Sequence, residues 1–280
     1  MSPPPPAVLV LFGRSPASER CKTRLARALG DRAAASRAYD AMVQLALHQT
    51  ASWDDAAPST SRSTRFFCAE PTDEATCVAL LSSGGAWARA AKRAIAVETQ
   101  RGDDVGARVA EAFERVGAEF DRAGDAPVVC VAGTDVPMFT AAHAASAVAL
   151  ASERADAVAF GPGTDGGFYC VAARATRENR VKLREAFRDA PWSTERALEA
   201  CVQACAARGL SPTTAMETLA DVDEAADLAA VVRAAFASSA IDDDARALYE
   251  IMRECVGDER ELDDDATTRR DATRADVASR

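Results

Sequence analysis

Histidine is almost missing from this chain: His48 and His143 are the only two in 280 residues. Cysteine occurs eight times, at Cys21, Cys68, Cys77, Cys130, Cys170, Cys201, Cys205 and Cys255, yet no two stand as C-x-x-C. Cys201 and Cys205 share a helical face, but no histidine lies near to complete a zinc set. Cys68, Cys130 and Cys170 lie within apolar runs and read as small core residues. Reduced thiols in a cytoplasmic protein are the expectation. Aromatics make up only 6%, so a core must rest on Ala, Val and Leu. No stretch approaches the roughly 20 apolar residues of a membrane span. The start, Met1-Ser2 followed by four prolines, lacks the basic n-region of a secretory signal and the Arg/Ser richness of a transit peptide. A basic surface is lacking too. The 33 Lys and Arg stand against 43 Asp and Glu, a net −10, which argues against a nucleic-acid binder. A small anion held by a local basic loop is not excluded.

What is present alternates between strand and helix. Residues 7–12 are a continuous apolar run and read as a buried parallel strand. Further strands are expected at 64–69, 95–98, 127–132, 155–160 and 168–173, with a last one at 213–219. Helices are expected at 31–50, 73–81, 103–120, 140–152 and 193–208, and from 221 through 236, with Thr140 and Ser193 as N-caps. Residues 53–65 read as a surface loop. No 20–50-residue repeat interrupts the pattern. It implies a mostly parallel sheet wrapped by helices. Ligands of such sheets gather at the carboxyl ends of the strands. Residues 1–240 are expected to form the main domain. Residues 241–280 carry 13 acidic and 7 basic side chains and read as an acidic extension, with a helix at 245–255 and a solvated remainder.

Four loops could carry chemistry. Gly13 to Leu25 follows the first strand and holds Arg14, Arg20, Lys22 and Arg24, which suits a phosphate chain. It is not a P-loop, because Cys21 rather than Gly precedes Lys22, and no G-x-G-x-x-G follows the strand. Asp135 ends the fourth expected strand, where a carboxylate can hold Mg²⁺ or Mn²⁺ or cap the next helix. Gly163-Thr164-Asp165-Gly166-Gly167 reads first as a tight turn between two strands, though its glycines also permit close backbone approach to a ligand. Asp221-Val222-Asp223 precedes a helix, as N-terminal charge or as metal ligands. Two smaller features, Gln100 to Arg108 and Pro191-Trp192-Ser193-Thr194, could line a pocket or simply pack.

In this order the loops resemble one family, the small GT-A-like transferases long known as a domain of unknown function and described as radical-SAM/selenodomain-associated glycosyltransferases. Lys22-Thr23-Arg24-Leu25 looks like its K-T-R-L motif. Gln100, Gly102, Gly106 and Arg108 match Q-x-G-x-x-x-G-x-R, and Gly133 to Pro137 matches G-[ST]-D-x-P. Gly161 to Tyr169 matches G-P-x-x-D-G-G-[FY]-Y, and the P-W-S-T and D-V-D-x-x-x-D-L segments follow. The match spans roughly residues 7–236. Two departures stand out: Glu19 where the family usually has Gly, and Val136 where it often has Cys.

The resemblance implies a three-layer α/β/α sandwich with a mostly parallel, mixed central sheet. The wider group includes molybdenum-cofactor and F420-type guanylyltransferases and 3-deoxy-manno-octulosonate cytidylyltransferases. By analogy with it, Asp135 and Asp223 are the implied metal ligands for Mg²⁺ or Mn²⁺. Gly13, Arg14, Lys22, Arg24, Gln100 and Gly102 are the implied nucleotide contacts. Lys22 and Asp165 are the candidate catalytic residues, Asp165 as acceptor contact or general base. A glycosyltransferase using a nucleotide-diphospho-sugar and a small-molecule acceptor is the leading expectation. The alternatives are a nucleotidyltransferase joining an NTP to a phosphorylated small molecule, and a non-catalytic nucleotide-binding module.

Overall fold

The computed structural model describes residues 5–53, 62–82, 84–121, 125–188 and 190–256. The predicted tail beyond 257 and most of the predicted 53–65 loop lie outside these residues. Seven strands, β1 (Ala7–Gly13), β2 (Arg62–Cys68), β3 (Ala96–Thr99), β4 (Val128–Gly133), β5 (Ala157–Pro162), β6 (Phe168–Arg174) and β7 (Ser211–Thr213), form one sheet in the order β3-β2-β1-β4-β6-β5-β7. β6 runs antiparallel to β4 and β5, and the other pairings are parallel.

The alternation of side chains along each strand divides the core into two layers. Ala7, Leu9 and Leu11 of β1, with Cys130 and Ala132 of β4 and Cys170 and Ala172 of β6, face one side. There they meet α2 (Arg32–Gln49), α6 (Ala141–Ser152), α9 (Ala225–Ala237) and α10 (Asp243–Val256). Val8 and Val10, with Val129, Val131, Val171 and Ala173, face the other side, against α5 (Val105–Phe120), α7 (Arg177–Arg188) and α8 (Ala197–Ala207). Strands buried on both faces explain why these segments read as unbroken apolar runs. Each fully buried Val, Leu or Phe stabilises the fold by about 1.5–3 kcal/mol. Three short helices, α1 (Thr23–Leu29), α3 (Glu74–Leu81) and α4 (Ala86–Ala91), complete the set among the described residues.

The caps follow the expected chemistry. Asp31 accepts hydrogen bonds from the Ala33 and Ala34 amides at the start of α2, at 2.7 and 3.0 Å, and Asp104 accepts from the Ala107 amide at 2.7 Å. Thr140 caps α6 as expected. Ser193 does not cap α8: it adopts a left-handed backbone, φ 62°, and the helix begins only at Ala197. The sequence pattern also passed over α7. Its text is dense in charge, and only Leu183, Ala186 and Phe187 mark its apolar face, with Arg180 buried beside them and paired to Asp121 at 2.9 Å.

Gly106 in α5 shows why one motif glycine is needed. A Cβ there would lie 2.5 Å from both the Phe187 carbonyl oxygen and the Trp192 ring. In an exposed helix, Gly to Ala stabilises by about 1 kcal/mol. Here overpacking reverses the sign, so Gly106→Ala should lower the urea-unfolding free energy by about 1–3 kcal/mol. A variant as stable as the parent would show that the helix and the Trp192 loop are not in close contact.

Candidate functional site

The loop after β1, the loop after β4 and the extended segment before α9 converge at the carboxyl end of the sheet. Their meeting point is Lys22. Its ammonium donates to Asp135 Oδ2 at 2.9 Å and to Asp223 Oδ1 at 3.0 Å, and Arg24 pairs with Asp223 Oδ2 at 2.8 Å. Lys22 is buried and holds a left-handed backbone, φ 42°, a conformation that costs a non-glycine residue about 1–3 kcal/mol. Burial lowers the Lys22 pKa, but the charges of Asp135 and Asp223 outweigh that and hold it above its ordinary value. Burial raises the Asp135 pKa, and the Lys22 charge and hydrogen bond reverse this to a net depression. The two shifts describe one ion pair, charged on both sides.

Asp221 completes a cluster. One carboxylate oxygen from each of Asp135, Asp221 and Asp223 lies within 4.8 Å of the others. No ammonium or guanidinium touches Asp221 among the described residues. Burial, followed by the charges of Asp135, Asp165 and Asp223, pushes its carboxyl up to about 6. Asp221 and Asp223 share a side because the segment is extended there, with the fully buried Val222 facing the opposite way. The Val222 amide donates to Asp135 O at 3.0 Å. Neither aspartate caps α9. The N-cap is Glu224, in a capping box with Asp227, whose Oδ2 accepts from the amides of Asp223 and Glu224 at 3.1 and 2.8 Å. Three hard oxygen donors with surplus negative charge match the preferences of Mg²⁺ or Mn²⁺.

Two cavities meet at Asp135. The first, about 260 Å³, is lined by Arg14, Arg20, Lys22 and Arg24, with Tyr39, Asp135 and Asp223. Arg14 Nη1 is buried there without a hydrogen bond. Its distance of 3.6 Å to Glu70 Oε1 is too long for one. Tyr39, expected only as part of a helix face, anchors the loop. Its hydroxyl accepts from the Arg14 amide at 2.9 Å and lies 3.1 Å from Thr134 Oγ1, which donates to Phe12 O. Glu19, the departure from the family pattern, is exposed and does not line this cavity.

The second cavity, about 300 Å³, is lined by Phe12, Val105, Phe168, Tyr169, Trp192 and Leu219, with Asp135, Asp165 and Asp221 among its polar members and no Lys, Arg or His. The turn between β5 and β6 forms part of it. Gly163 N donates to Gly167 O at 2.9 Å, and Asp165 Oδ1 accepts from the Gly167 amide at 2.8 Å. Gly166, at φ 83°, lies so close to the Glu195 carbonyl that a Cβ has no room. The same residues are therefore both hairpin turn and cavity wall. Gly13, Gln100 and Gly102, expected as nucleotide contacts, line neither cavity. Gln100 Nε2 instead brackets two strand ends, donating to Phe67 O at 2.8 Å and Gly13 O at 3.4 Å. Arg108 Nε donates to Gly102 O at 3.1 Å.

The raised Asp221 pKa makes a stability prediction. The folded state holds this proton more tightly than the unfolded chain. The group therefore costs stability as pH rises from about 4 through 6, and the cost is complete above 6. In EDTA, Asp221→Asn should raise the melting temperature at pH 8, with the gain fading by pH 4. An equal shift at both pH values would mean that Asp221 is not crowded by its neighbours.

In solved structures the chain is similar to a protein from Desulfovibrio desulfuricans G20 provisionally assigned as a nucleotide-diphospho-sugar transferase. The TM-score is 0.69 at 20% identity, over 89% of this chain and 96% of that one. This likeness establishes the fold. A nucleotidyl transferase from Methanothermobacter is more distant, with TM-score 0.46 at 14% identity over 80% and 94% of the two chains, and carries no functional weight. No curated protein matches the sequence significantly. Among the described residues no helix is long and apolar enough to cross a membrane. Residues 54–194, half of the chain, match the family described as an uncharacterized protein conserved in bacteria (DUF2064), and the chain belongs to that family.

Proposed function

We propose that the chain is a Mg²⁺- or Mn²⁺-dependent glycosyltransferase that takes its sugar from a nucleoside-diphosphate donor. The observation that carries this reading is the contrast between two cavities sharing Asp135. One is lined by four cationic side chains. The other is lined by three aspartates and no cation. A diphosphate suits the first. With Asp135 and Asp221 given to the metal, the second still offers no Lys, Arg or His and keeps the Asp165 carboxylate, which disfavours an acceptor that is itself a phosphate, as nucleotidyl transfer to a phosphorylated molecule requires, and admits a neutral hydroxyl.

In this reading Arg14, Lys22 and Arg24 bind the diphosphate, with Arg14 Nη1 supplying a buried donor that has no other hydrogen bond. Asp135 and Asp223, with Asp221 as a third oxygen donor, would hold the metal. When bound, such an ion stabilises the departing nucleoside diphosphate. Lys22 already neutralises the carboxylate pair and reaches the phosphates from the same position. Asp165 lines the acceptor side with Oδ1 fixed by the Gly167 amide. Oδ2 then takes the proton of the attacking hydroxyl.

A thermal-shift panel tests this, using nucleoside-diphosphate sugars and nucleoside triphosphates, each with and without Mn²⁺. A ligand at 100 times its Kd adds about 2.7 kcal/mol of stability. One diphosphate sugar should stabilise in a Mn²⁺-dependent way, and Asp135→Ala should abolish both that shift and metal-dependent turnover while keeping the fold. Stabilisation by a triphosphate alone would transfer the assignment to nucleotidyl transfer. No shift with any ligand would leave a non-catalytic module.

A further inference from the structure

Resting on the glycosyl-transfer reading, we infer that the acceptor is an uncharged alcohol or phenol whose apolar ring packs on Phe168 and Trp192 while its hydroxyl meets Asp165. The cavity beside Asp135 has the size of a small-molecule site at the lower end of the usual range. Its wall is aromatic. The Phe168 and Trp192 rings stand 5.9 Å apart at 70°, and both remain half-buried, so each presents apolar surface to the space. Phe12 is half-buried as well. Val105, at the first position of α5, is 49% exposed and is the one strongly exposed large aliphatic among the cavity's lining residues. An apolar ring entering here takes apolar surface of this wall out of water.

The wall is held in place before any ligand arrives. Trp192 Nε1 donates to Phe187 O at 3.1 Å. Its ring lies where Gly106 leaves room for it. Ser193 accepts a left-handed backbone immediately after it, and Leu198 N binds Gly166 O at 3.0 Å, so the loop is locked to the 163–167 turn. Fixing the ring in advance lowers the ordering cost of binding. Lys22 and Ser193 are two of three non-glycine residues with positive φ among those described, and each lines one of the cavities that share Asp135. The third, Lys92, is an ordinary C-cap of α4.

Charge and hydrogen-bonding capacity narrow the class. No Lys, Arg or His lines the cavity, and Asp165, the one lining carboxylate not given to the metal, disfavours phosphate and carboxylate groups. A polyhydroxylated sugar also has an apolar ring face, but its several hydroxyls need several partners. With Asp135 and Asp221 given to the metal, the polar side chains left for hydroxyls are Asp165, Ser193 and Thr194, because the Tyr169 hydroxyl already donates to Glu217 O at 3.0 Å. An apolar ring with one hydroxyl therefore suits the lining better than a saccharide.

The protein carries its own reporter. Of three tryptophans, Trp53 and Trp87 are fully buried, and Trp192 is the one open to a ligand. Titrations of 2-phenylethanol, phenyl phosphate and glucose are followed by tryptophan fluorescence excited at a wavelength the probes do not absorb, and repeated by thermal shift. Saturable binding of 2-phenylethanol, at least tenfold tighter than phenyl phosphate or glucose, is the expected result. Trp192→Phe should keep most of that affinity in the thermal-shift arm. Val105→Asp, at an exposed position that leaves the fold intact, should weaken it at least fivefold. Glucose binding as tightly as 2-phenylethanol, tighter binding of phenyl phosphate, or indifference to Val105→Asp would each overturn the inference. Donor stabilisation without ring binding overturns this inference alone. Ring binding without donor stabilisation leaves the cavity as assigned and overturns glycosyl transfer.

Discussion

The arrangement depends on one buried ammonium. Lys22 Nζ ties together two carboxylates that lie 113 and 201 residues away in sequence, and so joins the loop after β1, the loop after β4 and the extended segment before α9. Removing either carboxylate leaves the buried ammonium with one partner instead of two, a loss tempered by solvent because the Asp135 and Asp223 side chains are 36% and 32% exposed. The strained backbone of Lys22 is tolerated because these contacts, and the Tyr39–Thr134 hydrogen bonds beside them, over-determine it. A cation on a tether therefore rests among the oxygens best suited to a free one. The cationic and apolar cavities are consequences of this junction, since Asp135 is a wall of both.

Much of the fold was legible because the strands are buried on both faces. Continuous apolar runs located β1, β4, β5 and β6, and helical spacing located α2 and α5. Elements whose apolar face is diluted were not legible. α7 hides three core residues in a charged string, and α4 is only six residues long. The reversal of β6 was hinted at by the Asp-Gly turn, and the structure makes that turn a hairpin. Ser193 misled because a hydroxyl before a helical stretch has the composition of a cap, whereas its backbone is left-handed and the helix begins only at Ala197.

The candidate site was legible in part for a related reason. Asp135, Asp223, Lys22 and Arg24 are named by motif, and the structure brings all four together. Asp221 lay in the same motif, and its signal was the two-residue spacing of an extended segment. A following helix made capping the easier reading, but Glu224 and Asp227 do that work as a capping box. Gln100, Gly102 and Gly13 belong to motif segments as well, but their hydrogen bonds hold strand ends and the α5 entry. Nothing in a single sequence separates a residue that touches a ligand from one that holds the loop that does.

β6, the one antiparallel strand among the described residues, sets a limit on how this cavity can be remodelled. β6 sends Cys170 and Ala172 to one core layer and Val171 and Ala173 to the other, and its register against β5 is set at the 163–167 turn, beside the shift at Gly161/Pro162. Lengthening that turn by one residue without a compensating bulge would exchange the two sets and place each in the wrong layer. The pocket therefore cannot be widened one residue at a time from this side. Its dimensions are open to change through side chains such as Val105 and Phe168, or through the loop carrying Trp192, while the turn that bears Asp165 is bound to the register of the sheet.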